Sequence, residues 1–234
     1  MSAATVVLVH GGAAGAWTWH LVVDGLTQRG IDARAVDLPS CSAPGPTVDV
    51  HDDARHVRSL LDEIDGPIVM AANSYGGAVM SEAAIDHAGV RRLVYIAALM
   101  PQPDERFLDI LSGLSSGLTD ATHLTEDGRL TFDPDLDMEA SFHHASAEER
   151  EFIRPYLGRP MSLGSDPGVC LSRVAWNDIP STYIVCLDDQ ALPVNAQREW
   201  AKGATEAVEW PSDHSPQHSH PDLVVDLLAR LATG

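Results

Sequence analysis

The run Pro67-Ile68-Val69-Met70-Ala71-Ala72 leads directly into Asn73-Ser74-Tyr75-Gly76-Gly77 and then into a small-residue stretch over 78–84. An apolar run of that length reads as a buried strand and the stretch behind it as a helix, which leaves Ser74 on a sharp strand-to-helix turn. Such a turn lifts the serine hydroxyl clear of the sheet. The first turn of the helix aims its free N–H groups and its positive dipole end at the same point. Strand and helix backbones nearly touch there, so the positions two before and two after the serine must be small. They are Ala72 and Gly76. The usual pattern is G-x-S-x-G, and Ala72 departs from it by one methyl group.

The rest of the chain alternates in the same way. Strands are predicted over 6–10, 33–37, 68–72, 92–99, 182–187 and 207–210, with helices over 19–29, 51–65, 78–84, 194–202 and 223–231. In the second helix Ala54, Val57, Leu61 and Ile64 line one face. The fold class that follows is α/β, with a mostly parallel sheet of about six strands covered by helices on both faces. One segment breaks the rhythm. Residues 101–175 hold no strong strand, only short polar and helical pieces, and are expected to form a helical cap inserted between two core strands. The core is then 1–100 plus 176–234, with the cap above the carboxyl ends of the strands, where open α/β sheets bind ligands.

Fifteen basic residues against thirty-four acidic ones give a formal net charge of -19. Such a surface repels phosphate backbones and anionic lipid, so neither nucleic acid nor a membrane is an expected partner. The start of the chain shows no basic leader or membrane-length apolar span, and a cytoplasmic location is expected. Cys41, Cys170 and Cys186 have no metal-ligand spacing and leave an odd count, which suits a reducing compartment. Cys186 lies in an apolar strand and reads as core. The cluster His51, Asp52, Asp53 and His56 is expected to be a solvated helix face rather than a metal site. No metal and no cofactor are expected. The expected partner is a small-molecule substrate, and a homodimer is left open.

A serine hydroxyl is a poor nucleophile at neutral pH and needs a base and an acid to orient that base. On an elbow scaffold these follow in the order Ser, Asp, His, each after a late strand. Asp188 and Asp189 close the strand at 182–187, and His214 lies in the loop between the last strand and the last helix. Asp189 is the better orienting acid because Gln190-Ala191-Leu192-Pro193 turns directly from it into a helix; Asp188 is the reserve. Of the neighbouring histidines, His220 precedes Pro221 at the helix start and is expected at the surface. His218 is expected to be exposed too. The oxyanion donors are expected to be the main-chain N–H of Tyr75 and that of Gly12, in the loop His10-Gly11-Gly12-Ala13-Ala14-Gly15. That loop lacks the G-x-G-x-x-G spacing of a dinucleotide cradle. Trp17 and His143 are the candidate substrate contacts, whereas Trp19 reads as helix packing.

The sequence resembles the α/β-hydrolase superfamily over nearly its whole length. Residues 7–19, Asn73-Ser74-Tyr75-Gly76-Gly77, Asp189-Gln190-Ala191-Leu192-Pro193 and His214-Ser215-Pro216 are similar to the plant methylesterase and hydroxynitrile lyase group and its bacterial esterase relatives. The resemblance implies Ser74 as nucleophile, His214 as base, Asp189 as orienting acid, the Gly12 and Tyr75 N–H groups as oxyanion hole, and a helical cap near 142–144. The lyases of that group need a lysine after the catalytic histidine and a threonine after the early one. This chain has Ser215 and Gly11, which disfavours cyanohydrin cleavage. The expected activity is hydrolysis of a small carboxylic ester or lactone. The alternatives are a lyase, cyclase or cofactor-free oxygenase on the same fold, or a slow-turnover ligand-binding protein.

Overall fold

Successive side chains of a strand face opposite sides of its sheet, and in this chain both sides are apolar. In strand β1 (Thr5–Val9), Val7 and Val9 enter one core cluster while Val6 and Leu8 enter another. In β3 (Ile68–Ser74) the same division separates Ile68, Met70 and Ala72 from Val69 and Ala71. Burial on both faces identifies a sheet sandwiched between helices. The computed structural model describes residues 3–45, 47–114, 116–166 and 168–234.

The remaining strands of this sheet are β2 (Ala33–Val36), β4 (Val90–Ala98), β7 (Ser181–Cys186) and β8 (Glu206–Trp210). The six run parallel in the order β2-β1-β3-β4-β7-β8. Helices α1 (His20–Gln28) and α10 (Pro221–Thr233) cover the face of Val6 and Leu8. They pack so closely that a side chain at Gly25 would meet Val225 at 2.7 Å. Helices α2 (Val50–Asp62), α3 (Gly76–Ala83) and α8 (Val194–Ala201) cover the other face. Helix α2 starts on a capping box, with the Asp49 carboxylate accepting from the His51 and Asp52 N–H groups and Asp52 answering to the Asp49 N–H.

Between β4 and β7 lie α4 (Phe107–Gly113), α5 (Gly117–Ala121), α6 (Pro134–Ser141) and α7 (Ala147–Ile153). The segment also contains a short antiparallel pair, β5 (Thr122–Leu124) with β6 (Leu130–Phe132), where no strong strand was expected. Three-residue strands with half-buried or exposed side chains leave too little periodicity to read. The short helix α9 (Pro216–Ser219) follows β8. No helix among the described residues is long and apolar enough to cross a membrane.

Candidate active site

Strand β3 ends at Ser74, whose φ is +52°, in the left-handed region that a residue with a side chain seldom adopts. Holding it there costs on the order of 1–3 kcal/mol, which the surrounding packing must offset. Gly76 explains how. A Cβ on it would lie 2.4 Å from the His10 carbonyl oxygen and 2.8 Å from that of Val9, so α3 starts in direct contact with the end of β1. Gly77 is pinned in the same way, since a Cβ there would overlap the Leu99 carbonyl oxygen. The Leu99 N–H closes the corner by donating to the Ser74 carbonyl at 2.9 Å.

His214 lies in the loop after β8. Its Nδ1 donates to Asp189 Oδ2 at 2.7 Å, with both side chains buried. Asp189 is fixed from three further directions. Its Oδ1 accepts from the Ala191 and Leu192 N–H groups, and its Oδ2 also accepts from Gln197 Nε2 at 2.8 Å. Asp188 is exposed and makes no such contact with His214. Gln197 was not singled out in the sequence. Its signal is its place on α8 in register with Val194 and Ala201, a polar residue on an otherwise apolar face. Burial disfavours the charged form of His214, but Asp189, with help from Asp213 and Asp137, outweighs it and raises the imidazole above its ordinary 6.5.

Asn73, also overlooked, joins the two loops: its Nδ2 donates to the main-chain carbonyls of His214 (3.0 Å) and Ile96 (2.9 Å). Its Oδ1 accepts from Gln217. Ser74 and His214 line one cavity, and no hydrogen bond joins their side chains among the described residues. Such bonds are commonly long before substrate binds.

The main-chain N–H groups of Gly12 and Tyr75 donate to no backbone carbonyl among the described residues. The neighbouring Ala13 N–H donates to Met161 Sδ at 3.2 Å, which seats the cap on this loop. Below it His10 is fully buried, its Nδ1 donating to the Gly11 carbonyl and its Nε2 accepting from the Leu38 N–H. Burial lowers its pKa to about 4.

Two expectations about exposure fail. Asp53 belongs to no solvated face: it is fully buried, accepting from the Tyr75 hydroxyl at 2.9 Å and from the Ser40 N–H. Spaced three after Val50 and four before Val57, it lies on the apolar side of α2. His218 is also buried, because α7 of the cap brings Glu149 to its Nδ1 at 2.7 Å. His20 Nε2 approaches the same carboxylate at 3.5 Å, so one Glu holds a core helix, the cap and the histidine loop together. Among the described residues these three are the one group whose ligand-type atoms cluster within 4.8 Å. His220 is half-buried at the start of α10.

The cavity has a volume of about 540 Å³ and is walled mainly by apolar cap side chains, among them Phe107, Leu111, Leu118, Phe142 and Leu157. Trp17 lines it; His143 does not. Phe142, at the end of α6, occupies the wall, while the His143 ring packs edge-on to His144. Trp19 is buried in the core beneath α1, as is Cys186, whose thiol burial pushes well up.

The model of the alpha/beta hydrolase family matches residues 6–227, which take in all of the sheet but Thr5 and the whole of the cap. The chain belongs to that family. This alpha/beta hydrolase is similar to the pyrethroid hydrolase of Sphingobium wenxiniae, with 27% identity over 255 residues covering 99% of this chain and 89% of that protein. It is also 27% identical over 249 residues to methyl jasmonate esterase 1 of Vitis vinifera, covering 96% of this chain and 94% of the other. In fold it matches the crystal structure of polyneuridine aldehyde esterase with a TM-score of 0.85 at 24% identity, over 98% of this chain and 99% of that one.

Proposed function

We propose that this alpha/beta hydrolase cleaves a small carboxylic ester or lactone through an acyl-enzyme on Ser74. The observation that carries the reading is the buried Asp189–His214 pair, whose imidazole shares one cavity with a serine held at φ +52°. The names of the pyrethroid hydrolase and the methyl jasmonate esterase support it.

In this reaction His214 Nε2 takes the proton of the Ser74 hydroxyl as Oγ attacks the ester carbonyl. Asp189 keeps the imidazole in the tautomer that leaves Nε2 free and stabilises the imidazolium that forms. Negative charge gathers on the former carbonyl oxygen, where the Gly12 and Tyr75 N–H groups receive it. The tetrahedral intermediate collapses as His214 returns the proton to the departing alcohol. Water then repeats the sequence on the acyl-enzyme. The apolar walls suit hydrocarbon acyl or alcohol groups, with Trp17 as one contact.

The test is turnover of p-nitrophenyl butyrate. Ser74→Ala is expected to reduce kcat/KM at least about a thousandfold with an unchanged melting curve. Retained turnover in the pure variant would reject the assignment. Multiple turnover across a panel of simple esters separates this reading from a lyase, a cyclase or a ligand-binding protein, each of which leaves such esters nearly untouched.

A further inference from the structure

The cavity beside Ser74 contains a carboxylic acid that ester hydrolysis does not use. Asp137 sits on α6 of the cap, lines the cavity and is 9% exposed. Its Oδ1 accepts from the Ser141 hydroxyl one helical turn on, at 2.7 Å. Among the described lining residues there is no lysine or arginine, and His214 is the one basic side chain. A carboxyl placed among leucines and phenylalanines loses hydration that a single hydroxyl does not replace. Burial accordingly pushes Asp137 above the ordinary carboxylate range, while Ser141 and His214 pull it back.

Asp137 is the one carboxyl among the described lining residues, inside a protein of net charge -19. A ligand that completes such a site brings N–H donors and positive charge.

We propose that Asp137 is a specificity-determining residue, giving the site a preference for esters that carry a protonated amine over esters of the same shape that are uncharged. The proposal rests on the ester-hydrolase reading and adds the substrate class. Binding such an amine pairs it with the Asp137 carboxylate within the cap. An isosteric hydrocarbon leaves that carboxylate with Ser141 alone, and an anionic ester meets a like charge.

The experiment compares 2-(dimethylamino)ethyl butyrate with 3-methylbutyl butyrate, and ethyl 4-(dimethylamino)butyrate with ethyl 5-methylhexanoate. The pairs place the amine on the alcohol and acyl sides in turn. In at least one pair the cationic-to-neutral ratio of kcat/KM should fall about tenfold or more from wild type to Asp137→Asn, mostly through KM. Taking the ratio cancels any general loss of activity and the intrinsic reactivity of each ester. A ratio unchanged within about twofold in both pairs, for Asp137→Asn and Asp137→Ala alike, overturns the proposal. If neither variant folds, competitive inhibition of the wild type by 2-(dimethylamino)ethanol and 3-methylbutanol, and by 4-(dimethylamino)butanamide and 5-methylhexanamide, decides it. In at least one pair the amine should bind about tenfold more tightly, and equal or weaker binding in both pairs rejects the idea. Ser74-dependent turnover of the neutral esters reports on the ester-hydrolase reading separately.

Discussion

The side-chain amide of Asn73 donates to the main-chain carbonyl of His214 across 141 positions of sequence at 3.0 Å. The residue before the proposed nucleophile thus anchors the loop of the proposed base, and one strand end sets both.

Asn73→Ala should therefore act on the chemistry more than on substrate binding. The carbonyls of His214 and Ile96 lose their shared donor, and Gln217 loses its acceptor. Stability should fall by about 1–3 kcal/mol, the cost of leaving buried polar groups unpaired. Displacement of the imidazole should lower kcat by about 10–100-fold with a smaller change in KM. Steady-state kinetics on a short ester, with a denaturant melt of the same preparation, measure both.

Gly76→Ala is expected to damage the fold although it adds a single methyl group. The new Cβ would stand 2.4 Å from a main-chain oxygen, which no rotamer change relieves. A loss of at least about 2 kcal/mol is expected, equivalent to roughly 4–8 °C in Tm for a chain of this size. The reverse exchange at Ala72 removes a methyl and should cost no more than about 1 kcal/mol. Thermal melts of the two variants should separate clearly.

Two buried histidines titrate in opposite directions. His214, the proposed base, is raised above 6.5 and is protonated and inactive at low pH, so kcat/KM should fall on acidification with a midpoint above 6.5. The stability that His214 contributes through Asp189 is complete below 6.5 and is lost as pH rises through its folded value. His10, lowered to about 4, works the other way: its contribution is complete above 6.5 and is lost as pH falls towards 4. That loss amounts to about 3 kcal/mol at about 1.4 kcal/mol per pH unit. Protonation also places a proton on the Nε2 that accepts from the Leu38 N–H. NMR titration of the two imidazoles should find one value near 4 and one above 6.5.

What the sequence made legible was whatever is encoded locally. The apolar run before Ser74 and the small residues behind it predicted the elbow, because strand, turn and helix are consecutive there. Asp189 was separated from Asp188 by the turn that follows it, and the turn is what supplies the Ala191 and Leu192 N–H groups. Long-range partners were not legible. Asp53 and His218 look like surface residues among their neighbours in sequence, yet Tyr75 and Glu149 arrive from distant elements to bury them. His143 was a candidate substrate contact, but the turn after α6 gives the wall to Phe142 instead. For Asp53 and Gln197 a signal did exist, namely a polar side chain in register with an apolar helix face.

The central claim is that Ser74 becomes a nucleophile through His214. A fluorophosphonate that mimics the acyl-transfer transition state, followed by peptide mass spectrometry, tests it most directly. One adduct on the peptide containing Ser74 is expected in the wild type, with none in Ser74→Ala and labelling slowed at least about a thousandfold in His214→Ala. Failure to label, a label on another residue, or undiminished labelling in His214→Ala would contradict the account.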